Sequence, residues 1–245
     1  MEIKQIKEKI IEFIKEHAGN KPVVLGLSGG LDSSVVACLC VQALARDRLH
    51  GLVLPSQTNS HQEMECVKEL IEFLDVQNQI IGIDEIIHSF KKASQMYKDK
   101  NSLGNLKARV RMSLLYGKAN ELNGLVVGTG NKTELICGYF TKYGDGGVDL
   151  LPIGDLYKFQ VRELAEHLGV PKKIIDQPPT AGLWAGQTDE SELGISYENL
   201  DKILQAIENR QNLAGFDQPE VNLVQKYFKQ TEHKRKIPPI CGLAN

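Results

Sequence analysis

An α/β fold built on an open parallel sheet follows from three features of the sequence. Short apolar β-like runs alternate with helical patterns, two of those runs are apolar at nearly every position, and the turns after these two are rich in Gly, Ser, Thr and acid. Such alternation builds βαβ units, and a strand apolar throughout is what helices on both sheet faces require. About five strands are expected, in a single domain spanning 1–245, a length sufficient to bury a full core.

The elements follow in order. Ile3, Ile6, Ile10, Phe13 and Ile14 recur at helical spacing, so an amphipathic helix is expected over 2–17, ended near Gly19. The strand candidates are VVLGL at 23, GLVLP at 51, QIIGI at 79 and GLVVGTG at 124, separated by helical patterns at 31–46, 61–74, 84–97 and 105–122. Strands 23–27 and 124–128 should be central. TKYGDGGVDLLPIG (141–154) is a turn-rich loop whose VDLLPI run could add a fifth strand. A helix is expected over 155–168, closed by Gly169 and Pro171. Residues 177–195, with two prolines and three glycines, read as a long loop of the kind that forms lids. Helices at about 197–210 and 218–231 then lead to the basic tail HKRKIPPI.

Composition narrows the partners. A net charge of −2 gives no field for non-specific binding of nucleic acid, so a small-molecule partner is expected. No apolar run is long enough to span a bilayer, and MEIKQIKEKIIEFIKEH alternates charge with isoleucine where a signal peptide would be apolar; a cytoplasmic location without a membrane partner is expected. The five cysteines are odd in number and form neither a C-x-x-C pair nor a zinc-spaced cluster with histidine, so they read as reduced and mostly buried. His17, His50, His61, His88 and His167 show no ligand spacing.

In an open parallel sheet, ligands sit at the carboxyl ends of the strands where the crossover direction reverses. The stretch VVLGLSGGLDSSVVACLC (23–40) fits such a place. Gly26, Gly29 and Gly30 permit a tight turn and a close backbone approach, and a helix beginning near Leu31 aims free N–H groups and its positive end into that turn. Ser28, Ser33 and Ser34 add hydroxyls, but no lysine follows the last glycine, so this is not a Walker A loop. Asp32 is the informative residue. A carboxylate about 4 Å from a phosphate oxygen would cost about 4 kcal/mol at an effective dielectric near 20. Either a cation intervenes or no phosphate binds. Mg²⁺ held by Asp32 and substrate phosphates would reverse the sign; the alternative is that Asp32 and Ser33 merely cap the helix.

SGGLDS (28–33) resembles the S-G-G-x-D-S loop of the N-type ATP pyrophosphatases, which split ATP into AMP and pyrophosphate while activating an acid or carbonyl-type oxygen. GNLKARVRM (104–112), VGTGNKTE (127–134), TKYGDGGVDLLPIGDLYK (141–158), PPTAGLWAGQTDESELG (178–194) and HKRKIPP (233–239) resemble, in register, segments of bacterial ammonia-dependent NAD synthetases. One departure is Ala185, where proline would be expected in the lid, which bears on lid stiffness more than on chemistry.

The resemblance implies an adenine nucleotide alpha-hydrolase-like, Rossmann-like fold, and a ligase that amidates deamido-NAD with ammonia in the last step of NAD formation. The nicotinate carboxylate attacks the α-phosphorus of ATP, pyrophosphate leaves, and ammonia then displaces AMP. It implies ATP binding by Gly26, Leu27, Ser28, Gly29, Gly30, Leu31, Asp32, Ser33, Thr129, Lys158 and Thr180, with Lys158 and Thr180 at the phosphates. Glu134, just past a strand, would join Asp32 in a Mg²⁺ site; without the family it reads as a solvated carboxylate in a helix's first turn, and Thr129 as a helix cap. Asp32, Glu134 and Lys158 are the catalytic candidates. Deamido-NAD contacts fall on Arg109, with Arg111 as the alternative, and on Lys142, Asp145, Asp149, His233 and Lys234. Without the family, the loop acids read as connectors and HKRK as a solvated tail. The family also implies a homodimer with the dinucleotide at the subunit interface. No domain releasing ammonia from glutamine is seen, so free ammonia is the expected nitrogen donor. The competing readings are another N-type ATP pyrophosphatase, GMP-synthetase-like or tRNA-modifying, and a non-catalytic ATP-binding module. The TKYGDGG loop argues against the first, and a Glu134 opposite Asp32 would serve no purpose in the second.

Overall fold

The computed structural model describes residues 1–184 and 186–242; Ala185, the departure noted in the lid, lies outside the described residues. Four parallel strands, β1 (Val23–Gly26), β2 (Leu49–Val53), β3 (Gln77–Ile80) and β4 (Leu125–Val127), form one sheet in the order β3-β2-β1-β4. Val23 registers with Leu49 on one side and Leu125 on the other. The helices, in chain order, begin with α1 (Ile3–Ala18), α2 (Leu31–Leu44), α3 (His61–Leu74), α4 (Asp84–Ala93), α5 (Lys100–Leu122) and α6 (Lys132–Cys137). They continue with α7 (Lys158–Leu168), α8 (Lys172–Ile175), α9 (Asp189–Leu193), α10 (Tyr197–Glu208), α11 (Gln218–Gln230) and α12 (Glu232–Arg235).

The open parallel sheet between helical layers is as expected, with one strand fewer. VDLLPI contributes a single bridge, Leu150 with Val127: the backbone of Asp149 and Leu150 bonds to Val126 O and Gly128 N–H, but the Val126 N–H donates to the Asp149 side chain, Oδ2 at 2.8 Å, and the pairing goes no further. β1, paired with β2 and β4, is central as expected, whereas β4, expected to be central, ends the sheet. Helix α5 starts five residues before the expected 105, since the Asp99 side chain accepts from Ser102 N–H at 2.8 Å and caps it there. Gly104, a weak helix former, masks that start in the sequence. The expected 177–195 loop contains the short α9, and the basic tail begins as α12.

One face of the sheet packs Val23 and Leu25 against α1, α2, α3 and α7 through Ile14, Leu39, Leu70 and Leu164, all fully buried or nearly so. The other face packs Val24, Leu52 and Val126 against α4 and α5. A smaller core joins α10 and α11 through Leu200, Ile203 and Val224. Cys38, Cys40, Cys66 and Cys137 are buried free thiols and Cys241 is exposed; burial pushes the Cys38 and Cys40 thiols up to about 12. No described helix is long and apolar enough to cross a membrane.

The order β3-β2-β1-β4 means the chain steps outward from β1 twice and then returns to its other side. Crossover direction therefore reverses between β1 and β4, and the crevice at their carboxyl ends is where the fold offers a ligand site. The turn after β1 is fixed there by Gly29, at φ +73°, where a Cβ would lie 2.8 Å from Val67 N and 2.9 Å from Glu63 O of the α3 backbone. Gly29→Ala is expected to cost at least about 2 kcal/mol through left-handed strain and this clash. In calorimetry the melting temperature should fall by about 5 °C or more; an unchanged value would contradict the close approach.

Candidate active site

The turn is tied by its own hydroxyls. Ser28 Oγ lies 2.9 Å from Ser33 Oγ and accepts from Gly30 N–H at 3.2 Å, while Ser33 and Ser34 donate to Gly30 O at 3.0 and 2.8 Å. Gly30 is the N-cap of α2, and no side chain caps the helix. The capping role open for Asp32 in the sequence is therefore not the one it plays. Asp32 instead reaches across the crevice, accepting from Asn131 Nδ2 at 2.9 Å and from Lys158 Nζ at 2.5 Å.

The opposite wall begins after β4. Asn131, fully buried, caps α6 by accepting from Glu134 N–H at 3.0 Å, and Glu134 Oε2 accepts in return from Asn131 N–H at 3.2 Å. This reciprocal box turns the other Glu134 oxygen toward Lys158 Nζ, 3.3 Å away. Lys158 opens α7 with its side chain buried and its ammonium 5.0 Å above the Tyr197 ring. Its backbone is clamped: Lys158 N–H donates to Thr133 Oγ1 at 3.0 Å, and the buried Asp201 accepts from the Thr133 hydroxyl and from Phe159 N–H. Asp189, also buried, accepts from the Tyr139 and Tyr197 hydroxyls at 3.1 and 3.0 Å in the same wall.

One ammonium thus faces two carboxylates. Burial, aided by the negative charge of Asp32 and opposed by Lys158, pushes the Glu134 carboxyl above the usual carboxylate range. Burial pulls Lys158 down, but Asp32 and Glu134 outweigh it and hold the ammonium above its usual range. The cluster is one positive charge short. Its spare donors are all hard oxygens from two carboxylates, and among the described residues no group of three or more His, Cys, Asp or Glu forms a closed metal cage. That donor set fits Mg²⁺, which binds through one or two carboxylates and completes its shell with water and substrate phosphates.

The cluster lies in a cleft of about 1030 Å³ lined by Gly26, Leu27, Ser28, Gly30, Leu31, Asp32, Ser33, Thr129, Glu134, Lys158 and Thr180. Pockets for a single ligand run to roughly 300–1,000 Å³, so the cleft is large enough for a nucleotide-sized ligand. The NAD synthase family model matches residues 2–238. This chain belongs to the NAD synthase family. It is 46% identical over 255 residues to the NH(3)-dependent NAD(+) synthetase of Methanosarcina mazei, covering 99% of this chain and 100% of that protein. It is 46% identical to the one of Archaeoglobus fulgidus, covering 98% of each. Among solved structures, the NMN synthetase from Francisella tularensis superposes with a TM-score of 0.91 at 36% identity, covering 99% of this chain and 100% of that one. The NH3-dependent NAD synthetase from Campylobacter jejuni gives 0.85 at 34%, with the same coverage. The two sequence relatives are archaeal, so the resemblance to bacterial enzymes widens to the family as a whole.

The residues that the family resemblance linked to the dinucleotide divide between two places. Asp145 and Lys234 line the cleft, as does Arg111, whose Nε donates to Leu54 O at 3.0 Å. Arg109, Lys142 and His233 lie outside it in a chain of contacts: Arg109 donates to Lys142 O at 3.4 Å, and Lys142 Nζ donates to His233 O. Asp149 is also outside the cleft, accepting from Val126 N–H and, at 3.1 Å, from the Tyr116 hydroxyl. Asp149→Ala should leave the Val126 N–H unpaired at about 1–2 kcal/mol, a fall of roughly 4 °C in melting temperature. A melting temperature equal to the parent's would contradict that structural role. The tail is anchored: Lys234 Nζ donates to Gly138 O and Phe140 O, and Arg235 to Ile136 O and Phe228 O.

Asn131, Asp189, Tyr197 and Asp201 are the site residues that sequence reasoning missed. Asn131 alone carried a local signal, since N-x-x-E ahead of an apolar pair is a capping box.

Proposed function

We propose that this chain converts deamido-NAD, ATP and ammonia into NAD, AMP and pyrophosphate. The observation that carries this reading is the cross-crevice cluster of Asp32, Lys158 and Glu134 at the reversal point of the sheet, in a chain aligned end to end with ammonia-dependent synthetases. A carboxylate cannot accept ammonia directly, because its leaving group would be oxide or hydroxide. In the first step a nicotinate carboxylate oxygen forms a bond to the α-phosphorus and the bond to pyrophosphate breaks. In the second, ammonia bonds to the carboxyl carbon, the carbon–oxygen bond to AMP breaks, and the one proton ammonia loses passes to solvent.

Little covalent work falls to the protein, so catalysis rests on alignment and charge. The GLSGGLDS backbone from Gly26 to Ser33, with Thr129 and Thr180, holds the ATP, and Lys158 offers its ammonium to the phosphates. Asp32 and Glu134 would hold Mg²⁺, which neutralises the polyphosphate charge when bound. The outlying Arg109, Lys142, Asp149 and His233 belong to a dinucleotide site that a second copy of the chain completes. A single-domain, cytoplasmic homodimer is part of the same reading.

The test is an end-point assay with ATP, Mg²⁺, ammonium and deamido-NAD, omitting each component in turn. NAD and AMP in equal amounts, each requiring both ammonia and the dinucleotide, are expected. ATP binding without turnover would instead indicate a binding module, and AMP release only with a different acceptor would replace the substrate. The likeness to an NMN synthetase favours one second reading, amidation of nicotinate mononucleotide. Substituting that mononucleotide in the same assay separates the two by kcat/KM.

A further inference from the structure

One wall of the cleft is a strap, residues 178–184, that leaves the ATP side and packs onto α5. The seat of that strap is unusual chemically. Lys107 of α5 is 4% exposed, and among the described residues no carboxylate forms an ion pair with it. Burial, with Arg111 adding repulsion and Asp84 only partly offsetting them, lowers its pKa. An ammonium out of water with no carboxylate in direct contact is costly. What holds it is a pair of hydrogen bonds to two segments far away in sequence: Lys107 Nζ donates to Leu183 O of the strap at 2.8 Å and to Thr58 Oγ1 of the β2–α3 loop at 2.8 Å.

Leu183 is held from its other side as well. Its N–H donates at 2.7 Å to Gln187 Oε1, and the Gln187 amide donates to Glu192 Oε2, also at 2.7 Å. The strap is thus pulled between α5 and α9. One turn before Lys107, α5 presents Gly104, where a Cβ would lie 3.1 Å from Leu183 Cδ1 and 3.3 Å from the Trp184 ring. A glycine inside a helix costs up to about 1 kcal/mol relative to alanine, and here the missing side chain is the space in which the strap sits. Two independent features of α5, a buried donor and an absent side chain, therefore serve the same end of the strap, Leu183 and Trp184.

We propose that Lys107 is a positioning residue that pins the 178–184 strap to α5 and so sets Thr180 at the ATP phosphates; the part assigned to Thr180 rests on the function proposed above. Lys107 touches no reacting atom and does not line the cleft. It acts through the carbonyl of Leu183, three residues from Thr180, and ties the strap to the loop carrying Asn59, itself part of the cleft wall.

Trp184 is the only tryptophan in the chain, so intrinsic fluorescence reports the seat of the strap directly. Two variants of the full chain attack the seat by different means. Lys107→Met removes the donor while keeping the length of the side chain, and Gly104→Leu fills the space with a better helix former. In both, acrylamide quenching of Trp184 should rise about two-fold or more, and KM for ATP should rise about ten-fold, the worth of a charge-assisted hydrogen bond. The kcat at saturating ATP should change far less, a split that a simple loss of folding stability would not produce. Parental quenching and parental KM in a folded Lys107→Met, or in Gly104→Leu, would overturn the proposal. If Lys107→Met does not fold, Gly104→Leu decides alone. If the parent protein turns over neither deamido-NAD nor nicotinate mononucleotide, the proposed function fails separately, and quenching with equilibrium ATP binding still decides the role of Lys107.

Discussion

Asp32→Asn should slow AMP formation by about three orders of magnitude while leaving the protein folded. Asparagine has nearly the same shape and keeps an oxygen for the Asn131 amide, but it cannot carry the charge that faces Lys158 across the crevice. Preorganised charge at a reacting phosphate is typically worth about 10²–10³ in rate per group removed, and loss of a carboxylate that would hold the metal adds to it. Stability is spared because a second acid stands ready. Glu134 Oε1 lies 3.3 Å from Lys158 Nζ and remains as its counter-ion when the Asp32 charge is removed. Single-turnover AMP formation together with a melting curve checks this, and turnover within ten-fold of the parent would sink the assignment.

Lys158→Met should be comparably inactive for the complementary reason, and it should also be less stable. Removing the ammonium leaves Asp32 and Glu134 sharing a part-buried site with no cation between them, the arrangement in which two like charges cannot both persist. The loss of the donor at the phosphates should lower kcat by about 10³, and Lys158→Arg should not restore it. A guanidinium is a planar fork, whereas the slot beneath the Tyr197 ring holds a point charge with donors to two carboxylates. Near-parental AMP formation by Lys158→Met would show that the cluster is structural.

How much of this was legible in the sequence depends on how local each signal is. The SGGLDS turn, the helix over 61–74 and the alternation that builds the sheet rest on local patterns, and each stands where it was expected. The edge position of β4 was not legible, because what takes its Val126 N–H and stops a fifth strand is the Asp149 side chain, 23 residues on. The role of Asp32 was open between cap and crevice until Asn131, 99 residues away, was found to hold it. Asp201 and Lys107 gave no signal at all. An acid in mid-helix and a lysine among basic neighbours look like solvated surface, and only the packing of α10 against α7 and of the strap against α5 buries them.

The central claim is that the cluster of Asp32, Lys158 and Glu134 serves attack by the nicotinate carboxylate on the α-phosphorus of ATP. Deamido-NAD labelled with ¹⁸O in that carboxylate, turned over with unlabelled ATP and ammonium, tests it most directly when the products are read by ³¹P NMR and mass spectrometry. The label should appear as one ¹⁸O atom in AMP and none in pyrophosphate, since the attacking oxygen leaves with AMP when ammonia displaces it. AMP free of label, or label carried into pyrophosphate or orthophosphate, would contradict the account.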